Sequence, residues 1–292
     1  MYVVAGVSGQ TGSVVAEALL AAGKQVRVLV RSEAKGRAFK ERGAEVAVAS
    51  VEDSEALAAA LHGAEGAYLL LPPPGPEVKG IISRGQHIID GIAAALQKSP
   101  VPHVVILSSI GGQHPDGTGP IVTLHYAEQA LQKLSGIRFT FLRAAYFIEN
   151  LGGVLGAIQH ASILPSLSNP TTAFAMVATR DIGEAAAQAL LHPPAATEVI
   201  ELSGPQEYSF TDAAAAFSQA LNKQINVVPV PPEGIVPALT QAGLGEEMAG
   251  LMREMAMGMD SGRVAFAGGT ARAVRGKVPL AAVVQQLLGN KS

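Results

Sequence analysis

Residues 1–12 read MYVVAGVSGQTG, and this stretch decides the fold of the chain. A short apolar run at residues 2–7 leads directly into glycines, and residues 11–22 then have the spacing of a helix that ends near Gly23. Residues 25–30 form a second apolar run. The chain therefore begins with a βαβ unit whose glycines lie at the first turn from strand to helix.

The glycines of this turn, at positions 6, 9 and 12, each suit a different backbone requirement. Gly6 permits a tight turn, Gly9 lets the backbone approach a ligand, and Gly12 permits close contact between helix and strand. The free N–H groups at the helix N-terminus favour an anion there. An ordinary turn can share this pattern, but its place inside a βαβ unit favours binding of a dinucleotide pyrophosphate.

The end of the second strand indicates which dinucleotide is bound. An NAD site usually has an acid here that binds the ribose 2′-hydroxyl, whereas this chain has Arg31, with Glu33 as the nearest acid. A guanidinium donates two hydrogen bonds to a 2′-phosphate, which an acid would repel. The alternative is a surface arginine that merely follows a strand. We interpret Arg31 as favouring NADP(H).

The alternation of strands and helices continues to about residue 150 and predicts a parallel sheet covered on both faces. Strands are predicted at residues 2–7, 25–30, 45–49, 66–71, 101–108 and 139–143, and helices at 11–22, 34–42, 52–61, 78–97 and 123–134. Beyond residue 150 we predict a loop at 162–170, helices at 181–191 and 211–221, strands at 199–202 and 226–230, and a mostly helical remainder.

These elements predict an α/β fold class: a Rossmann-like, doubly wound parallel sheet with a smaller, mostly helical C-terminal subdomain. We expect residues 1–150 to form the NAD(P)-binding domain and residues 151–292 the substrate-side subdomain, with contributions that interleave.

The composition argues against several classes of function. Hydrophobic residues make up 48% and charged residues 15% of the chain, and the net charge of −3 gives no basic surface for nucleic acid. The chain has no cysteine, which excludes disulfides and thiolate nucleophiles. No apolar run reaches the length of a membrane span, no basic and apolar leader is present, and no residue cluster has metal-ligand spacing. We therefore expect a cytoplasmic protein without a membrane partner or a metal.

Several short segments in a fixed order carry a resemblance to a known family. They are residues 6–12, 30–32 and 105–109, Glu128 with Leu131, and residues 136–143, 147–150, 180–183 and 202–205. With these segments the chain resembles the NmrA-like family of atypical short-chain dehydrogenases/reductases, and particularly its bacterial NAD(P)H:quinone oxidoreductases. The similarity extends to about residue 230 and is weaker in the remainder.

The resemblance implies an NADP(H) site in a cleft between the two parts of the chain. The implied cofactor residues are Gly6, Ser8, Gly9, Gln10, Thr11 and Gly12 at the phosphates, Arg31 at the adenosine phosphate, Ser50 and Val51 at the adenine, and Leu71 and Pro72 near the nicotinamide ribose. Tyr146, Phe147 and Asn150 are implied to line the nicotinamide and substrate pocket. Ser50 departs from the family pattern, which often has Asp at that position.

The acid–base pair of the wider superfamily, Tyr-x3-Lys, is absent here, since Tyr126 is followed at that spacing by Ala130. His125 is the remaining proton-active group and our candidate catalytic residue. It can protonate a quinone oxygen or bind the ribose, and the alternative is a histidine without a role. Ser108 ends the fifth strand, where it either binds the cofactor or bonds to a neighbouring loop.

Two classes of function stay open. The leading hypothesis is an NADPH-dependent oxidoreductase that transfers hydride to a quinone-like or conjugated carbonyl acceptor, since the cofactor supplies the reactive atom. The alternative is a non-catalytic NADP(H)-binding redox sensor of NmrA type that signals through a protein partner. A sugar-nucleotide epimerase is disfavoured by the missing Tyr-Lys pair. The sequence leaves the acceptor and the oligomeric state open.

A run of methionines near the C-terminus has two interpretations. Its members are Met248, Met252, Met255, Met257 and Met259. They form either the apolar face of a helix or a flexible lid over an apolar substrate, because methionine adapts to irregular shapes.

Overall fold

The computed structural model describes residues 1–75 and 78–289, and short strands alternate with helices along most of this length. The strands are β1 (Tyr2–Val4), β2 (Val26–Val30), β3 (Glu45–Val48), β4 (Gly66–Leu69), β5 (His103–Ser109), β6 (Arg138–Ala144), β7 (Tyr146–Phe147), β8 (Ile163–Ser166), β9 (Phe174–Val177), β10 (Glu198–Ser203), β11 (Glu207–Tyr208), β12 (Asn226–Pro229) and β13 (Arg272–Arg275). The helices are α1 (Gln10–Ala21), α2 (Glu33–Glu41), α3 (Ser54–Leu61), α4 (Ile81–Lys98), α5 (Val122–Leu131), α6 (Leu155–Ala161), α7 (Thr179–Leu191), α8 (Phe210–Leu221), α9 (Pro232–Gln241), α10 (Glu246–Asp260) and α11 (Leu280–Gly289).

The largest sheet is parallel throughout and has the strand order β13-β10-β6-β5-β4-β1-β2-β3. Successive side chains of a strand point to opposite faces, so Val3 and Val4 of β1 are both fully buried but belong to different cores. The strand order reverses between β1 and β4. In such sheets the carboxyl ends of the two strands at the reversal flank a crevice that is suited to a ligand.

The second half of the chain contributes to this sheet and to a smaller lobe. β10 and β13 extend the sheet, whereas β11-β9-β7 and β12-β8 form two small sheets with a core of their own. Asp181 of α7 binds the segment that follows β13. Its Oδ2 accepts hydrogen bonds from the N–H groups of Lys277 and Val278, at 3.0 Å each.

One prediction for the second half was wrong, and one short strand was not predicted. Residues 162–170, predicted as a loop, contain β8, which pairs with β12 in spite of Pro165 because a two-stranded edge tolerates proline. The mostly helical remainder contains β13, a short sheet edge in which Arg272 and Arg275 are exposed, so its pattern lacks the apolar run of a buried strand. Residues 290–292 of the predicted subdomain lie outside the described part of the chain. None of the helices described is long and apolar enough to cross a bilayer.

Candidate active site

A cavity of about 730 Å³ opens at the carboxyl ends of the strands on both sides of the reversal. Its walls are built from residues that follow β1, β2, β3 and β4, from the end of β5, and from the first turns of α4 and α5. This is the crevice that the strand order creates. The long axis of the site therefore runs from the glycine turn after β1 to the segments that face the smaller lobe.

The glycine turn forms one wall of the cavity, as its sequence pattern predicts. Gly6 has φ = +70°, a conformation that glycine adopts without a steric penalty. Gly9 is the N-cap of α1 and lines the cavity, and no side chain caps the N–H groups of that helix start. Ser8, Gln10 and Thr11 also reach the cavity, whereas Gly12 is buried against the backbone of Ala5 and Gly6, which directly follow β1. The exposed helix start fits an anionic phosphate group.

The far side of the glycine turn carries the charged residues of the cavity. Arg31 lines it and, among the residues described, makes no hydrogen bond or ion pair, so its donors are free for a ligand. Ser50 and Val51, which the resemblance implies at the adenine, also line this part of the cavity. Sequence reasoning missed the ion pair between Arg84 and Glu52 on the same wall, with Nη2 and Oε2 at 2.5 Å. The pair joins α4 to the segment after β3, and no local pattern signals it.

The opposite end of the cavity is uncharged. Along the described chain it is lined by Ser109, Pro120, Thr123, Leu124, Phe147, Asn150 and Met248, and Leu71 and Pro72 lie between the two ends. Phe147 and Asn150, which the resemblance implies for the nicotinamide and substrate pocket, thus both line this cavity. Of the methionine run, Met248 alone reaches the cavity, so α10 covers this end with its first turn.

Tyr146 lies behind this wall. Its ring packs edge-to-face against Phe174, with centroids 5.6 Å apart, and against Phe210. Burial raises the pKa of Tyr146 to about 12, although a hydrogen bond with Asn150 acts in the opposite direction. Tyr146 thus contributes to the core of the smaller lobe and contacts Asn150, while its neighbour Phe147 faces the cavity.

Ser108 lies on the cavity wall and is held from behind by buried charges. Its hydroxyl donates to Oε1 of Glu128 at 2.6 Å, and Arg143 binds both oxygens of that carboxylate, at 3.0 and 2.6 Å. Glu201, 3.8 Å from Arg143, accepts a hydrogen bond from the N–H of Ala267 at 2.7 Å. Because the hydroxyl proton of Ser108 is engaged, this side chain presents an acceptor to a ligand in the cavity.

His125 and Tyr126 follow the cavity-lining Thr123 and Leu124 on α5 but are not on the cavity wall. Nδ1 of His125 lies 3.0 Å from the carbonyl oxygen of Gly112. A carbonyl only accepts, so the neutral ring has its proton on Nδ1 and an unprotonated Nε2. Tyr126 donates to Oδ1 of Asp90 at 2.7 Å, and this bond to a carboxylate raises the pKa of Tyr126. Tyr126 is thus directed to the α4 surface.

Comparison with known proteins places the chain among its relatives. Residues 2–262 match the model of the NmrA-like family. The chain belongs to this family. The predicted membership is thereby confirmed, and the sheet described above confirms the predicted Rossmann-like fold class.

Three relatives show how far the similarity extends. The chain is 28% identical over 256 residues to the NAD(P)H azoreductase of Xenophilus azovorans, an alignment that covers 87% of this chain and 86% of that protein. It is 27% identical over 267 residues to quinone oxidoreductase 2 of Escherichia coli, which covers 90% and 89%. The fold matches that of an NADPH-dependent quinone oxidoreductase from Escherichia coli in complex with NADPH, with a TM-score of 0.81, 23% identity and coverage of 99% and 100%.

Proposed function

We propose that this NmrA-like protein is an NADPH-dependent oxidoreductase that transfers hydride to an uncharged, quinone-like or other conjugated acceptor. The observation that carries the proposal is a continuous cavity that joins an anion-binding helix start and a free arginine to an uncharged end. Two relatives that align over most of their length are named NAD(P)H azoreductase and quinone oxidoreductase 2, which supports the reaction class.

The cofactor residues proposed from the cavity are those of the glycine turn and its surroundings. The N-terminus of α1 would bind the pyrophosphate and Arg31 the 2′-phosphate, while Ser50 and Val51 would contact the adenine. Leu71 and Pro72 would contact the nicotinamide ribose. NADPH supplies the hydride when it is bound. The uncharged lining residues at the other end then exclude water from the acceptor.

The acceptor end suits a flat, neutral molecule. Phe147 offers an aromatic surface for packing, and the Asn150 amide offers a hydrogen-bond donor to a carbonyl oxygen. Reduction of a quinone by hydride also consumes one proton, which we propose His125 supplies through a bridging water, since this residue lies beside the cavity wall and not on it. Its imidazolium form would be the donor, because the neutral ring has no proton on Nε2.

The experiment uses two acceptors that differ by one charge. Purified protein is mixed with NADPH and either a naphthoquinone or its ring-sulfonated form, and loss of NADPH absorbance is followed. We expect turnover of the neutral quinone, with a KM about tenfold or more below that of the sulfonate, since none of the described residues that line this end carries a charge to offset desolvation of the sulfonate. Tight NADPH binding without turnover of any acceptor would reject the reductase and favour a cofactor-binding regulator.

A further inference from the structure

One carboxylate connects the start of α10 to the start of α4, two helices that are distant in sequence. Oε2 of Glu247 accepts from the N–H of Gly80 at 2.7 Å, and Oε1 accepts from the N–H of Ile81 at 2.7 Å. Gly80 is the N-cap of α4, so the glutamate satisfies N–H groups that the helix cannot pair internally. A negative charge also interacts favourably with this end of the helix dipole.

Both ends of this contact border the cavity, and Met248 lies at its acceptor end. Ile81 lines the cavity directly after the N-cap of α4, and Met248 lines it directly after Glu247 on α10. The Glu247 carboxylate therefore connects the backbone of Ile81 to the residue directly before Met248. A change in the contact would alter the distance between the Ile81 and Met248 side chains, and with it the width of the cavity.

A second contact of α10 involves the segment before α5. A β-carbon on Gly119 would stand 2.1 Å from the carbonyl oxygen of Leu251, so the backbones of these two segments touch. Pro120, the next residue, lines the cavity. Helix α10 is therefore fixed at two points of the acceptor end, by the Glu247 hydrogen bonds and by this backbone contact.

From this geometry we infer that Glu247 is a positioning residue that sets the width of the acceptor end and hence the affinity for the acceptor. The inference rests on the proposed reductase function. Glu247 does not line the cavity itself and acts through Ile81 and Met248. The residues proposed for the pyrophosphate and the 2′-phosphate, in the glycine turn and at Arg31, lie on other segments, so we expect the affinity for NADPH to be independent of this contact.

The test compares Glu247→Ala with Glu246→Ala, since Glu246 is an equally exposed glutamate of the same first turn for which the described chain offers no hydrogen-bond partner. In Glu247→Ala, loss of the capping contact is expected to raise the acceptor KM about fivefold and to leave the NADPH Kd unchanged. Glu246→Ala keeps the contact and should have the KM and Kd of the wild type. Glu247→Gln, which keeps one carbonyl acceptor, is expected to give an intermediate KM.

Hydrogen exchange gives a readout that does not depend on turnover. Peptides that contain the amides of Gly80 and Ile81 should exchange faster in Glu247→Ala than in Glu246→Ala, while peptides from the glycine turn stay unchanged. If the wild type turns over a quinone but Glu247→Ala and Glu246→Ala share one acceptor KM, the inference is overturned. A fall in NADPH affinity equal to the fall in acceptor affinity overturns it too. A wild type without turnover rejects the proposed function instead.

Discussion

Gly12 and Ala5 are in direct backbone contact: a β-carbon on Gly12 would stand 2.4 Å from the carbonyl oxygen of Ala5. Helix α1 therefore packs on the end of β1 more closely than any side chain allows. Gly12→Ala should lower the free energy of unfolding by about 1–3 kcal/mol, the usual cost of overpacking. Urea unfolding checks this. Gly156→Ala in α6, where no atom lies within 4 Å of the added carbon, is the control and should show no loss.

The preference for NADPH is predicted to depend on Arg31. Arg31→Asp should weaken NADPH binding about 10- to 100-fold, since it removes hydrogen bonds to a charged group, and should affect NADH much less. Because the chain has no tryptophan, titration that follows the fluorescence of each reduced nicotinamide measures both constants. Arg37→Asp makes the same charge change on exposed α2 away from the cavity and should leave the ratio of the two constants unchanged. Equal losses for NADPH and NADH in Arg31→Asp would contradict the 2′-phosphate assignment.

Removal of one partner from the buried ion pair of Glu128 and Arg143 should strongly destabilise the protein. Both residues are under 10% exposed, so Glu128→Ala leaves a buried guanidinium without its principal partner. We expect the free energy of unfolding to fall by about 3–5 kcal/mol. The double variant Glu128→Met with Arg143→Met removes both charges and should recover part of this loss, because backbone N–H groups continue to satisfy Glu201. A double variant less stable than Glu128→Ala would show that the pair itself is strongly stabilising.

Replacement of His125 tests the proposed proton donor. His125→Gln should lower kcat with a quinone about tenfold and leave the NADPH Kd unchanged. This effect is below the roughly 10²–10⁴-fold that is typical of general acid catalysis, because water can substitute as the donor. His87→Gln on the exposed face of α4 is the matched control. An unchanged kcat in His125→Gln would assign the histidine a role in holding the Gly112 loop only.

The stability of the protein should decrease in mild acid because of His103. Burial, assisted by the Arg138 guanidinium, lowers the pKa of His103 from 6.5 to about 4. Between these values the unfolded ring binds a proton that the folded ring does not, so stability falls as the pH falls from 6.5 to 4, by up to about 3 kcal/mol. In His103→Asn, unfolding measured across this range should have a shallower pH slope than in the wild type. His87→Asn should keep the wild-type slope.

Sequence reasoning located those residues of the cavity wall whose places depend on local backbone geometry. The glycine turn and Arg31 lie next to predicted strands, so their places follow from the βαβ unit alone. Tyr146 and Phe147 show the limit of this reasoning. Adjacent residues of a strand point to opposite faces, so one of the pair faces the cavity and the other the core, and the sequence does not indicate which.

Contacts between distant segments were beyond prediction for a different reason. Glu247 meets the start of α4, and Arg84 meets Glu52, only after the helices have packed on the sheet. The pairing of β13 with β10 likewise requires the finished sheet edge. Tertiary packing determines which distant segments meet, and short exposed segments have no periodic pattern from which their partners could be predicted.

The position of β13 has a consequence for the making of the protein. β10 obtains its outer neighbour only from residues 272–275, so on a ribosome its edge stays open while the whole stretch between Ser203 and Arg272 is synthesised. An open strand edge is a template for pairing with another chain. The nascent chain thus remains prone to edge-to-edge aggregation long after its glycine turn has been translated. The edge of β10 is covered only when β13 has been synthesised and pairs with it.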